Sequence, residues 1–223
     1  MDLTILLSTA YLPPVRYFTK FLIPGKVVIE AHENYTKQTY RNRCSICTAN
    51  GRSFLIVPVV RGSFHKVHIR DLRIDNSTPW QTNHERAIIS SYNRSPFFEY
   101  YGSEILAAIR RKEKFLLDFN CSLTNLLLGI LNIKQGFELT TSYSATGTEG
   151  ILDYRDSIHP KKSTGDPHFI AMPYIQVFND RYGFIPGQSI IDLLFNMGPD
   201  STAYMHRCIK KKGRTPGVNS LYS

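Results

Sequence analysis

The chain has no long apolar run. No stretch approaches the roughly 20 apolar residues that a membrane-crossing helix requires, so no span is expected. The opening "MDLTILLSTAYLPP" does not suit a secretory signal. Asp2 stands where a basic residue belongs, and Pro13-Pro14 cuts the apolar stretch short. A cytoplasmic location is the expectation. Cysteine is scarce too, with four in 223 residues, which fits reduced thiols better than a disulfide framework. Cys44 and Cys47 form a lone C-x-x-C, but no second pair completes the four ligands of a structural zinc. A redox motif would need a helix opening after Cys44, and its surroundings read as strand. His65 and His68, like His159 and His168, share no helical face with nearby carboxylates, so no metal is expected. Also missing are a phosphate loop, a dinucleotide glycine fingerprint, a zinc-protease motif and a nucleophile elbow. "SATGTEG" has glycines but no Lys-Ser/Thr pair after them. No cofactor is implied.

Acidic residues are in deficit, with 18 Asp and Glu against 27 Lys and Arg, for a formal charge of +9. Such an excess favours an anionic partner. Part of it is an end effect. "RCIKKKGR" supplies Arg207, Lys210, Lys211, Lys212 and Arg214 to what reads as a solvated tail from about residue 207. A hydrophobic content of 42% with 12% aromatic supplies a core, and the length suits one domain over residues 1–223.

The front half alternates strands and helices. "LTILLST" and "KVVIEAH" read as strands around a helix opened by Pro13-Pro14 at "VRYFTKFL". Asn50-Gly51 signals a turn between "CSICTA" and "SFLIVPVV", predicting a hairpin, and "VHIRDLRI" reads as a further short strand. Three helices follow: from Trp80 to about Asn93, over "FFEYYGSEILAAIRR", and over "KFLLDFNCSLTNLLLGILNI". "FELTTSYS" reads as a strand, Thr146 to Asp166 as loop, and "SIIDLLFNM" as a helix. Ser189 can cap that last helix, with Asp192 reaching back and Gly198-Pro199 stopping it. The fold class is α/β, with a mixed sheet, flanking helices and a mainly helical middle segment.

The segment "EAHENYTKQTYRNRCSI" is the richest in chemistry. Strands of open α/β sheets place ligand groups just beyond their carboxyl ends, and His32 and Glu33 fall there after the second strand. A histidine beside a carboxylate is a candidate general base with its tuning partner. If "YRNRCSI" is extended, Arg41 and Arg43 share one face, with Lys37 close by, and could hold a phosphate in bidentate fashion. Asn42 would then face the other side with Tyr40. A solvated edge strand, charged against edge-to-edge pairing, explains the same residues without a ligand. His84 lies on an apolar helical stripe with Trp80, Ala87 and Ile88, which fits a satisfied core residue as well as a base.

The blocks "YLPPVRYF", "YTKQTYRNRCSI", "NGRSFLIVPV", Trp80 to His84, "SYNRSPFFEYY" and "FIPGQSIIDLLFN" occur in an order that resembles the WbqC-like family of bacteria. Two departures stand out. Ser8-Thr9-Ala10 replace a frequent Gln-Pro ahead of Tyr-Leu-Pro, and "EAHEN" stands where members often carry "DDVQ". The resemblance implies a role in surface polysaccharide (O-antigen) biosynthesis, with transfer of an acyl or aminoacyl group onto a sugar. The expected partner is a phosphorylated small molecule such as a nucleotide sugar. Lys37, Arg41 and Arg43 would hold phosphate, and Gln38 and Asn42 would orient the sugar or acyl group. His32 with Glu33, or else His84, would deprotonate the acceptor. Tyr11, Tyr35, Tyr92 and Asn93, each inside one of the matching blocks, join the candidate substrate contacts. The alternatives are a nucleic-acid-binding module, which lacks a recognised motif here, and a non-catalytic binder of a phosphorylated metabolite.

Overall fold

A computed structural model describes residues 3–60, 67–161 and 166–210. β1 (Thr4–Ser8) and β2 (Lys26–Glu30) pair in parallel, from Thr4 opposite Lys26 to Ser8 opposite Glu30. Ile5, Leu6 and Leu7 are all buried, as a central parallel strand covered on both faces requires. The connection between them is α1 (Val15–Phe18), which begins after Pro14 and runs into a 3-10 turn at Thr19–Leu22. β5 (Glu138–Leu139) adds outside β2, and β6 (Ile151–Asp153) adds outside β1. The sheet order is β5-β2-β1-β6, all parallel. β3 (Arg43–Thr48) and β4 (Gly51–Ile56) form a separate antiparallel hairpin. The architecture is α/β as the sequence indicates, with its two kinds of pairing divided between two sheets.

The middle of the chain supplies α2 (Trp80–Tyr92), α3 (Phe98–Ile109) and α4 (Leu116–Ile130). Leu116, Phe119, Leu123 and Leu127 of α4 are buried at three- and four-residue spacing, so one face of that helix joins the core. α5 (Asn179–Tyr182), α6 (Ile190–Met197) and α7 (Ser201–Cys208) complete the described chain.

Four readings of the sequence need correction. "VHIRDLRI" is no strand but a 3-10 turn at Ile69–Asp71 flanked by isolated bridges, because its partners Asn34, Val59 and Phe115 belong to three different segments. β6 arises inside the stretch read as loop, since three residues after Gly150 give no periodicity to detect. Residues 207 and 208 are helix rather than tail. α7 runs to Cys208, with Tyr204, Met205 and Cys208 buried, while Lys211, Lys212 and Arg214 lie outside the described residues. Asp192, expected to reach back to its own helix start, is instead buried. It accepts hydrogen bonds from Tyr92 Oη (2.9 Å), Tyr174 Oη (2.5 Å) and Gln176 Nε2 (2.9 Å).

α6 also fastens the start of the chain. Ser189 Oγ lies 3.5 Å from the amide of Ile191, as a cap, and donates to the Leu12 carbonyl at 2.7 Å. The Ile190 amide donates to Pro13 O at 2.9 Å. These bonds hold Leu12 in a left-handed conformation (φ 39°), which an unsupported leucine avoids. The inner face of α6 is apolar, and Ile190, Leu193 and Leu194 are all buried. Leu194→Ala should therefore cost about 2–5 kcal/mol through lost burial and a residual cavity. A wild-type denaturation midpoint for that variant would show that the face carries no core packing.

Candidate functional site

β2 continues the sheet on one side of β1 and β6 on the other, so the chain diverges across β1. In open parallel sheets the crevice at such a point, beyond the carboxyl ends of the strands, is where ligands bind. Here it receives Ser8 from β1, Glu30 from β2 with His32 and Glu33 just past it, and Asp153 from β6 with Arg155 and Asp156 just past it. A cleft of about 420 Å³ opens there, with His32, Glu33, Arg41, His68, Arg155 and Asp156 among its lining residues.

Both arginines in the cleft are committed. Arg41 Nε donates to Glu33 Oε1 at 2.8 Å, and its Nη2 donates to Glu33 Oε2 at 2.5 Å and to Ser8 Oγ at 2.8 Å. Ser8 Oγ in turn donates to Glu33 Oε2 at 3.2 Å, closing a ring of bonds between the ends of β1 and β2. Arg155 donates through Nε and Nη2 to Asp153, at 3.0 and 2.6 Å, and through Nη1 to Glu30 at 3.2 Å. Burial opposes the charge on Asp153, yet the hydrogen bonds from Arg155 hold its carboxyl below the ordinary value. The two cationic lining residues are thus matched by Glu33 and Asp156 in the wall and by Glu30 and Asp153 behind it. This is not an electropositive socket.

The histidines differ in what they leave open. His32 Nε2 is 3.1 Å from the Thr140 carbonyl, which can only accept, so that nitrogen carries the proton. Its Nδ1 faces Arg70 Nη1 at 3.3 Å, so both ring nitrogens are occupied. His68 Nδ1 donates to the His32 carbonyl at 2.9 Å, which leaves Nε2 as the lone-pair nitrogen of the neutral ring. His68 is exposed and lines the cleft. Sequence reasoning grouped His68 only with His65, as a rejected metal pair. A histidine just before a turn that bridges to Asn34 was the available signal, but that bridge is a long-range contact.

The other expected contacts are dispersed. His84 is buried against Tyr11 and Trp80, with Nδ1 2.9 Å from the Tyr11 hydroxyl, and it does not line the cleft. Burial lowers its pKa to about 4 despite a hydrogen bond to the Ile56 backbone. Tyr11 is fully buried, and Tyr92 is buried with its hydroxyl on Asp192. Asn42 is buried and donates to Val57 O at 2.9 Å, tying the loop to the hairpin. Arg43 does not share a face with Arg41. Arg41 lies in a turn ahead of β3, where period-two alternation does not apply, and the Arg43 guanidinium sits 5.8 Å from the Phe54 ring centre. Lys37 and Gln38 are exposed, with Gln38 at φ 61° and bonded to Lys161, and Tyr35 is buried. Asn93 lines a different cleft of about 750 Å³, together with Arg94, Gln176 and Asn196. The single socket expected of His32, Lys37, Arg41, Arg43 and His84 is therefore not formed. Only His32 and Arg41 share a cleft.

Two measurements follow from this geometry. Arg41→Met leaves the buried Glu33 carboxylate without its cation and should lower stability by about 3–5 kcal/mol, whereas a residue held open for a ligand would change stability little. For His84, the folded pKa lies below the unfolded value of about 6.5, so the unfolded chain binds more protons between the two. Its contribution is full above about pH 6.5 and is lost as pH falls towards about 4. His84→Gln should flatten the wild-type loss of stability across that window. An unchanged slope would mean that His84 is not held neutral by the fold.

The model for the WbqC-like protein family matches residues 9–167 of this chain. An uncharacterised protein of Mycobacterium tuberculosis, Rv1507c, is 29% identical over 227 aligned residues, covering 91% of this chain and 97% of its own length. No solved structure matches. The matched span takes in β2 to β6 and every described lining residue of the cleft, and on that ground the chain belongs to the WbqC-like protein family.

Proposed function

We propose that the chain is a transferase of surface polysaccharide (O-antigen-type) biosynthesis, moving an acyl or aminoacyl group onto a nucleotide- or carrier-linked sugar. The observation that carries this reading is His68. Its tautomer is set by the His32 carbonyl, and Nε2 offers a lone pair at a cleft beyond the carboxyl ends of a parallel sheet. In this reading the acceptor amine or hydroxyl gives its proton to His68 Nε2 as the new bond to the acyl carbon forms. The proton then passes to the departing group of the donor, so no covalent enzyme intermediate is needed. His32 and the Glu33–Arg41 pair hold the wall in place, and Asp156 offers a hydrogen-bond acceptor to the sugar. Activated sugars are assembled in the cytosol, which makes this a cytoplasmic activity. The charge balance of the cleft suits the uncharged sugar end of the substrate, with its phosphates outside the cleft, and disfavours a nucleic-acid backbone, which would need unpaired cations there.

The test is to incubate the protein with amino-sugar nucleotides and a panel of acyl and aminoacyl donors and to follow the modified sugar by mass spectrometry. His68→Asn keeps a donor for the His32 carbonyl but has no basic nitrogen. It should slow transfer by about 10²–10⁴-fold with little change in melting temperature. Transfer at the wild-type rate would remove His68 from the chemistry, and no product from any pair would remove the reading.

A further inference from the structure

A group of cations without carboxylate partners lines a second cleft. A cleft of about 530 Å³ is bounded by α1, the first residue pair of β4, the 160–161 segment and the 186–187 loop. Arg16, Arg52, Lys161 and Lys210 contribute four cations to its wall. The one carboxylate in the wall, Asp166, is already taken by Lys20, a fully buried ammonium 2.6 Å away.

The partners of these cations are neutral. Arg16 Nη2 donates to the His159 carbonyl at 2.8 Å, Arg52 Nη2 donates to the Pro186 carbonyl, and Lys161 Nζ donates to the Gln38 amide oxygen. Among the described residues none of the four forms a salt bridge, and Arg16 Nε is buried without a hydrogen-bond partner. Carbonyl acceptors orient a guanidinium without cancelling its charge. Arg41 and Arg155 illustrate the opposite case, with both bound to carboxylates. Tyr40 and Phe169 supply flat apolar walls, and Arg16 lies 5.8 Å from the Tyr40 ring centre. The volume falls in the range of about 300–1,000 Å³ typical of small-molecule sites.

We infer that this cleft binds the diphosphate group of a small molecule, with Arg16 and Arg52 as the forked donors and Lys161 and Lys210 as point charges. The inference rests on the cleft alone, and would stand if the transferase reading fell. The diphosphate could come from a nucleotide or from a lipid carrier, whose organic parts differ while the charged group is shared.

Calorimetric titration of the full chain with inorganic pyrophosphate, UDP and farnesyl diphosphate tests it, each at two salt concentrations. Pyrophosphate should bind at one site. The Arg52→Gln/Lys161→Gln variant should weaken it by at least about tenfold with an unchanged melting curve, since both residues are exposed. Arg111→Gln/Lys112→Gln removes the same charge from an exposed stretch outside the cleft and should have no comparable effect. Tighter binding of UDP than of farnesyl diphosphate identifies a nucleotide source, and the reverse order a lipid carrier. The inference is overturned if pyrophosphate fails to bind, if both double variants weaken it equally, or if a single-stranded oligonucleotide outcompetes all three ligands.

Discussion

Glu30, fully buried at the end of β2, accepts four hydrogen bonds from three parts of the chain. They come from its neighbour's neighbour, the His32 amide, at 2.9 Å, from Thr140 Oγ1 at 2.6 Å just past β5, from the Ser144 amide at 2.9 Å, and from Arg155 Nη1 at 3.2 Å just past β6. β5 has two residues and β6 three, too few for their ladders alone to define position. The carboxylate does what the missing ladder bonds cannot, fixing both outer strands to the sheet's centre at the edge where the cleft opens. A lone buried carboxylate would be costly to bury. With every acceptor direction used and a cation in contact, the group becomes a fixed anchor. The cleft wall depends on it, because Arg155 and the backbone of His32 are both held there.

The two clefts show how little a count of basic residues says about anion binding. The carboxyl-edge cleft contains two of the most buried arginines, yet each is spent on carboxylates a few residues from a strand end. The second cleft is built from more exposed cations whose partners are carbonyls and an amide, so its field is left standing. In a chain with a formal charge of +9, the first cleft thus uses its cations to hold geometry and the second keeps their charge uncancelled.

Much of the fold was written in local pattern. The runs of β1 and β2, the prolines before α1, the Asn50-Gly51 signal near the hairpin and the apolar stripe of α4 each follow from residues within one element. What escaped was made by distant contacts. β6 exists because Ile151, Leu152 and Asp153 lie beside Thr4, Ile5 and Leu6, some 150 residues away along the sequence. The candidate site divided in the same way. His32 and Glu33 were legible as the residues after a strand, whereas the pairing of Arg41 with Glu33 and the approach of His68 to His32 depend on how a turn folds back. Arg41 and Arg43 parted company because extension was assumed one turn too early. His84 was ambiguous for a sound reason, since an apolar stripe looks the same whether it faces the core or a pocket.

The bonds from Ser189 and Ile190 to Leu12 and Pro13 bring together residues 177 positions apart. The left-handed turn after β1 is therefore completed by a helix that comes far later in the sequence. During synthesis the first strand and its turn lack these bonds until α6 has been made. Closing so long a loop is entropically expensive and slow. The turn after β1 thus cannot become native before α6 does, although it precedes that helix in the chain.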